Sequence, residues 1–267
     1  MGFQFIWIDS LCVIQDDIED WKIQSSMMGL IYKHAACNIA ATWAADGSMG
    51  LFSNRHPGTV TPCATTLDDQ RQPREYWIST LRGYHDDITN APLNKRAWVL
   101  QERYLAAKQL SFSKRQVYWE CPELTASEEF PSGVPRELWE DSDYGSRAMK
   151  LTGKPHMGVK DEWHARQQWA ALVEQYSSCA LTKTSDKMIA LAGLAGEAQE
   201  AFGDAYLAGV WREDHRKQLC WRATEWDCQT LPGNRVPTWS RAKVDGPVVY
   251  DRSYYEPGTG DSLSRRS

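Results

Sequence analysis

No stretch of about 18 apolar residues occurs anywhere in the chain, which excludes a membrane-spanning helix as a reading of the sequence. There is no concentrated basic block either. Lys+Arg 30 stand against Asp+Glu 35, a formal net charge of −5, and binding a phosphate backbone needs clustered cations. Nucleic acid and membrane are therefore not expected partners. The seven cysteines include no CxxC pair, so neither a zinc ribbon nor a thioredoxin-type site is indicated. Asn-x-Ser/Thr sequons are absent, the N-terminus lacks a signal-like segment, and Ile6 stands where a myristoylation motif needs Ser or Thr. A reducing, cytoplasmic setting follows as the expectation. HExxH, GxSxG, Walker A and GxGxxG are all missing, so no metal site and no resident cofactor is expected. Phenylalanine is scarce, at 6, whereas tryptophan reaches 13 of 267 residues. With 42% hydrophobic residues, that is a globular composition and not a disordered one.

The pattern along the chain predicts an α/β first half. Phe3–Asp9 reads as a buried strand, Asp16 and Asp17 supply capping chemistry for an amphipathic helix to about Lys33, and Ala36–Thr42 reads as a second strand. Strand, helix and strand in about 40 residues predict a βαβ unit with parallel pairing. Periodicity then disappears from Asp46 to Asn90, an irregular insertion with one short strand expected at Tyr76–Leu81. A short helix is predicted from Arg96 to Tyr104, then strands at Lys108–Ser113 and Gln116–Glu120 joined by a tight turn. Residues 131–160 read as a polar linker. Helices at Asp161–Cys179 and Ser185–Phe202 begin a mainly helical region, 161–250, and 251–267 read as a disordered tail. Within that region Gly193 and Gly196 suggest close helix packing.

Two positions carry candidate chemistry. Asp9 would lie at the carboxyl end of a parallel strand, where open α/β sheets bind ligands; it could equally cap the turn that follows. Trp98 and Glu102 are four apart and share a helix face. A carboxylate beside a large aromatic is partly desolvated, which raises its pKa and suits acid/base or charge-stabilising work. The plainer alternative is an ion pair with a neighbouring Arg and a Trp in the core.

These residues fall in longer motifs. Trp7-Ile-Asp-Ser-Leu-Cys-Val-Ile-Gln-Asp-Asp17 resembles a W-I-D-x-L-C-I-x-Q-D-D block, with Trp7, Leu11, Cys12 and Gln15 at its positions. Arg96-Ala-Trp-Val-Leu-Gln-Glu-Arg-Tyr-Leu105 resembles R-A-W-x-L-Q-E-R-x-L and includes Gln101. Tyr118-Trp-Glu-Cys121 and Ala126-Ser-Glu128 resemble closing Y-W-E-C and A-S-E elements, which places Trp119, Glu120, Cys121, Ser127 and Glu128 in the pattern. In this order the blocks resemble the fungal heterokaryon incompatibility (HET) domain, spanning residues 1–130. Further elements, such as Tyr206–Trp211 and Pro237–Gly246, resemble the downstream parts of such proteins. An opening A-L-S-Y-x-W-G-like block is absent, so the resemblance implies a domain short of its first strand and loop.

HET domains are regarded as distant relatives of TIR domains. The resemblance thus implies an incomplete TIR- or flavodoxin-like parallel sheet with flanking helices, followed by a mainly helical region, and an effector of non-self recognition that triggers programmed cell death. Enzymatic TIR domains cleave NAD⁺ with a Glu in a W-x-x-x-E helix. That likeness makes Glu102 the catalytic candidate, Asp9, Arg96, Trp98 and Arg103 its support, and NAD⁺ a substrate instead of a cofactor. A non-catalytic module that self-associates or binds an incompatibility partner, and an inactive truncated product, are the alternatives.

Overall fold

Asp17 opens the first long helix as its chemistry dictates. Its carboxylate accepts from the backbone N–H groups of Glu19 (2.8 Å) and Asp20 (3.1 Å), two donors that a helix start otherwise leaves unpaired. In this computed structural model that helix is α2 (Ile18–His34), preceded by one turn of helix, α1 (Asp9–Cys12). The structure describes residues 2–61, 63–69, 72–78, 83–135, 162–181, 184–224, 228–230 and 236–251. The expected tail beyond 251 and most of the expected linker lie outside the described residues.

The main sheet has the order β1-β4-β5-β6. Strand β1 (Asn38–Ala40) pairs in parallel with β4 (Gln109–Phe112), Ile39 opposite Leu110. The crossover between them passes through helix α3 (Ala97–Leu105). β4 then pairs antiparallel with β5 (Val117–Glu120), and β5 with β6 (Thr125–Ser127). The fold is α/β as expected, with a mixed sheet containing one parallel pair. The tight turn between β4 and β5 also forms: the Ser113 hydroxyl donates to the Gln116 carbonyl at 2.6 Å.

Two expectations fail. Phe3–Asp9 is not a strand, and no βαβ unit spans residues 3–42. Residues 2–8 are irregular, with Phe5 91% and Ile6 75% exposed. The run is apolar at both alternating positions, the pattern of a strand buried on two faces. Among the described residues, however, no strand lies beside it, and an unpaired backbone has no ladder to hold it extended. Asp9 therefore starts α1 instead of ending a strand. The insertion holds a hairpin of two seven-residue strands in place of one short strand: β2 (Cys63–Asp69) pairs antiparallel with β3 (Gln72–Ile78). Ala64, Thr66, Leu67, Glu75 and Tyr76 of that hairpin are all exposed, so its described side chains form no buried face to imprint a period of two on the sequence.

The sheet is polar on its buried face. Gln109 and Ser111 of β4, and Tyr118 and Glu120 of β5, are buried, whereas Leu110, Phe112, Val117 and Trp119 on the other face are partly open. Hydrogen bonds satisfy the buried groups: Asn38 donates to Gln109 (3.1 Å), Gln109 to Ser111 (2.9 Å) and Gln116 to Tyr118 (2.9 Å).

The apolar core lies elsewhere. Leu100 and Tyr104 of α3 pack with Trp169 and Val173 of α4 (Glu162–Ser177) and with Leu191 and Leu194 of α5 (Ile189–Phe202). Trp211 is fully buried among the aromatics of the same cluster, stacked edge-on to Trp169 and Phe202. Beyond α5 come small hairpins and one short helix, including the antiparallel pair of Trp221–Ala223 with Val248–Tyr250. No helix among the described residues is long and apolar enough to cross a membrane.

Candidate functional site

Consecutive residues of a helix point about 100° apart, and the three at the heart of α3 go to three different neighbours. Gln101 turns toward α5. It is 2% exposed, and its side-chain oxygen accepts from the Gly193 N–H at 3.1 Å. A Cβ on Gly193 would sit 2.5 Å from that oxygen, and one on Gly29 of α2 would sit 3.3 Å from the Gly193 Cα. The absence of side chains at both glycines lets α2, α3 and α5 meet. Close helix packing was the sequence reading of Gly193; Gly196 meets nothing within 4 Å. Lys33 of α2 and Glu197 of α5 close the same junction with a 2.6 Å ion pair.

Arg103 turns the opposite way, under the sheet. Its guanidinium donates to Glu120 of β5 at 3.0 Å and to the Tyr84 hydroxyl at 2.6 Å, and Tyr84 in turn donates to Glu120 at 2.6 Å. All three side chains are buried. The nearby carboxylate raises the Arg103 pKa further despite burial. Arg103 is thus not brought to Glu102; it anchors α3 to the sheet, and Glu120 is its counter-ion.

Glu102 faces α2 and the N-terminal segment. The Tyr32 phenol lies within hydrogen-bonding reach of its carboxylate, and the charges of Asp9 and Arg96 both bear on it. Burial is the main cause of a pKa pushed up to about 7; Asp9 raises it further, while Tyr32 and Arg96 oppose the rise. Tyr32 is itself held well above an ordinary phenol by burial and by the Glu102 charge. The Trp7 ring stands edge-on to Tyr32 at 5.6 Å. Trp7, Asp9, Tyr32, Arg96 and Glu102 are therefore gathered at one place. Trp98, one turn before Glu102, packs against the helical core cluster.

Residues 1–102 match the family model of the heterokaryon incompatibility protein, HET. That stretch of the chain is similar to the HET family. No curated protein and no solved structure matches the chain.

The matched segment runs from the N-terminus into α3 and takes in every member of the Glu102 cluster, whereas Arg103 and the β4–β6 part of the sheet lie beyond it. Within the segment, Asp9 also accepts from the Ser10 N–H (2.7 Å), and Gln15 donates to the Val13 carbonyl (3.0 Å). Leu11 and Cys12 are exposed. Those motif positions shape the α1 turn. Past the segment, Glu128 takes a charge-assisted pair from Arg55 and accepts from the Val117 N–H (2.7 Å), tying the 52–55 loop to β5. Ser127 accepts from the Phe130 N–H at 3.1 Å, Trp119 lies on the open face of the sheet, and Cys121 bonds through its backbone to Leu124. None of these reaches Glu102. Tyr32 is the member that residue reasoning misses; it lies in the predicted amphipathic helix, but spacing gives no sign of a partner 70 residues away. Among the described residues no cluster of His, Cys, Asp and Glu is placed to hold a metal ion.

Proposed function

We propose that this protein is a cytoplasmic effector of heterokaryon incompatibility that triggers cell death, and that its HET segment acts on NAD⁺ through Glu102. The supporting observation is the setting of that one carboxylate, partly buried on α3, beside Tyr32 and Arg96, with a pKa pushed to about 7. A group with that pKa is present in both protonation states at neutral pH, the condition for acid/base work.

In the proposed hydrolysis the bond between the ribose C1′ and the nicotinamide nitrogen breaks. Its electron pair leaves with nicotinamide, water adds to C1′, and one proton is released. Glu102 in its ionised form would hydrogen-bond the ribose and offset the positive charge that develops as the bond breaks. Arg96, exposed at the start of α3, would meet a phosphate of the dinucleotide, and Trp7 beside Tyr32 offers a flat apolar surface for a ring.

The experiment measures NAD⁺ consumption by the purified chain and by Glu102→Ala. Loss of activity in the variant, with an unchanged circular dichroism spectrum, is the expected result. Equal consumption by both would remove Glu102 from the mechanism. A second reading, a non-catalytic module that works by assembly, is favoured by the apolar surface at residues 3–30. Cell death that persists after Glu102→Ala would select it.

A further inference from the structure

Phe3-Gln-Phe-Ile-Trp-Ile8 is uncharged, holds no Gly or Pro, and is apolar at five of six positions. Short segments of that composition are the ones that add to open sheet edges. Here the segment is irregular and open to solvent: Phe3, Phe5 and Ile6 are exposed, and no described strand pairs with it.

The same molecule carries the other half of such a contact. β1 is an outer strand, paired among the described residues with β4 alone. The Asn38 N–H is turned toward β4, donating to the Lys108 carbonyl at 2.8 Å. Backbone groups alternate along a strand, so the N–H and C=O of Ile39 point to the open side. The Ile39 side chain is 49% exposed. Two of the usual guards of an edge are missing: from Ala35 to Ala45 the sequence has no charge and no Pro. Both surfaces are neutral, so no like-charge repulsion opposes their meeting.

We propose that residues 3–8 of one copy add as a strand to the β1 edge of a second copy. The contact joins two different surfaces, so the chain assembles head to tail. The inference goes beyond the NAD⁺ reading and does not depend on it.

Light scattering of the full chain over a concentration series tests this, with Phe5→Lys and Ile39→Lys made separately. Both side chains are exposed, and matching circular dichroism spectra confirm that each variant keeps the fold. The wild-type mass should climb above the 30.4 kDa of one chain as concentration rises, while each variant alone stays monomeric. An equimolar mixture of the two variants should form a two-chain complex, because Ile39→Lys retains the strand and Phe5→Lys retains the edge. A wild-type chain that stays monomeric overturns the proposal. So does an Ile39→Lys chain that assembles like wild type, which would indicate strand-on-strand pairing, or a mixture that gives no complex.

Discussion

At the scale of single residues, Glu102 ties stability to pH in a direction opposite to most carboxylates. Its pKa rises from the ordinary 4.5 to about 7 on folding, so the folded chain binds that proton more tightly than the unfolded one. The contribution is complete below about pH 4.5 and is lost as the pH rises through 7, a swing of up to about 3 kcal/mol. Urea midpoints at pH 5 and pH 8 should fall with pH in wild type and flatten in Glu102→Gln; equal slopes in the two would contradict the burial of this group. Arg103 makes a second case. Replacing it with Met leaves Glu120 buried without its counter-ion and should cost about 3–5 kcal/mol. Adding Glu120→Gln should recover much of that, as a double-mutant cycle in urea would read. The sequence displayed Gln101, Glu102 and Arg103 as one dense run. It could not show that they diverge to a helix, a tyrosine and a sheet, because helical phase separates neighbours that the one-dimensional order puts together.

Elements follow the same lesson in another form. α2, α3 and the β4–β5 hairpin are legible because their signals are local: a capping Asp17, a repeating apolar face, a polar turn between two short β-prone runs. The N-terminal strand is misread because a strand is a relation between two segments, and composition specifies only one of them. The β2–β3 hairpin is invisible for the converse reason, having partners but no buried face among its described side chains. Packing between elements is predictable once geometry is known. Gly193→Ala should displace the Gln101 carboxamide from the N–H it bonds and cost about 1–2 kcal/mol. In a Gln101→Ala background the same substitution should cost less, and thermal melts of the four proteins would measure the difference.

Across the whole molecule, α3 shares one apolar cluster with α4 and α5. A chain ending at residue 135 would expose Leu100, Tyr104 and Leu105 to water. We expect it to lose cooperative unfolding and near-ultraviolet dichroism, whereas the full chain shows both; a cooperative melt from the shortened chain would mean the sheet half stands alone. Much of the molecule was readable as a class, α/β followed by helices. Its assembly was not, since the residues that join the halves are ordinary Leu, Tyr and Trp with no mark of their distant partners.

The polar buried face of the sheet has a consequence for how the chain finds its fold. In most sheets a slip of one residue is punished because grease turns outward and polar groups turn in. Here the same slip would carry Leu110, Phe112 and Trp119 into the interior and release Gln109, Ser111 and Glu120 to water, a trade that hydrophobicity alone rewards. What forbids it is the set of bonds from Asn38, Arg103, Tyr84 and Gln116. The correct alignment is thus kept by a lock of directional contacts that Arg103 completes only when α3 has docked, and a chain refolding without that helix in place has a wrong answer close at hand.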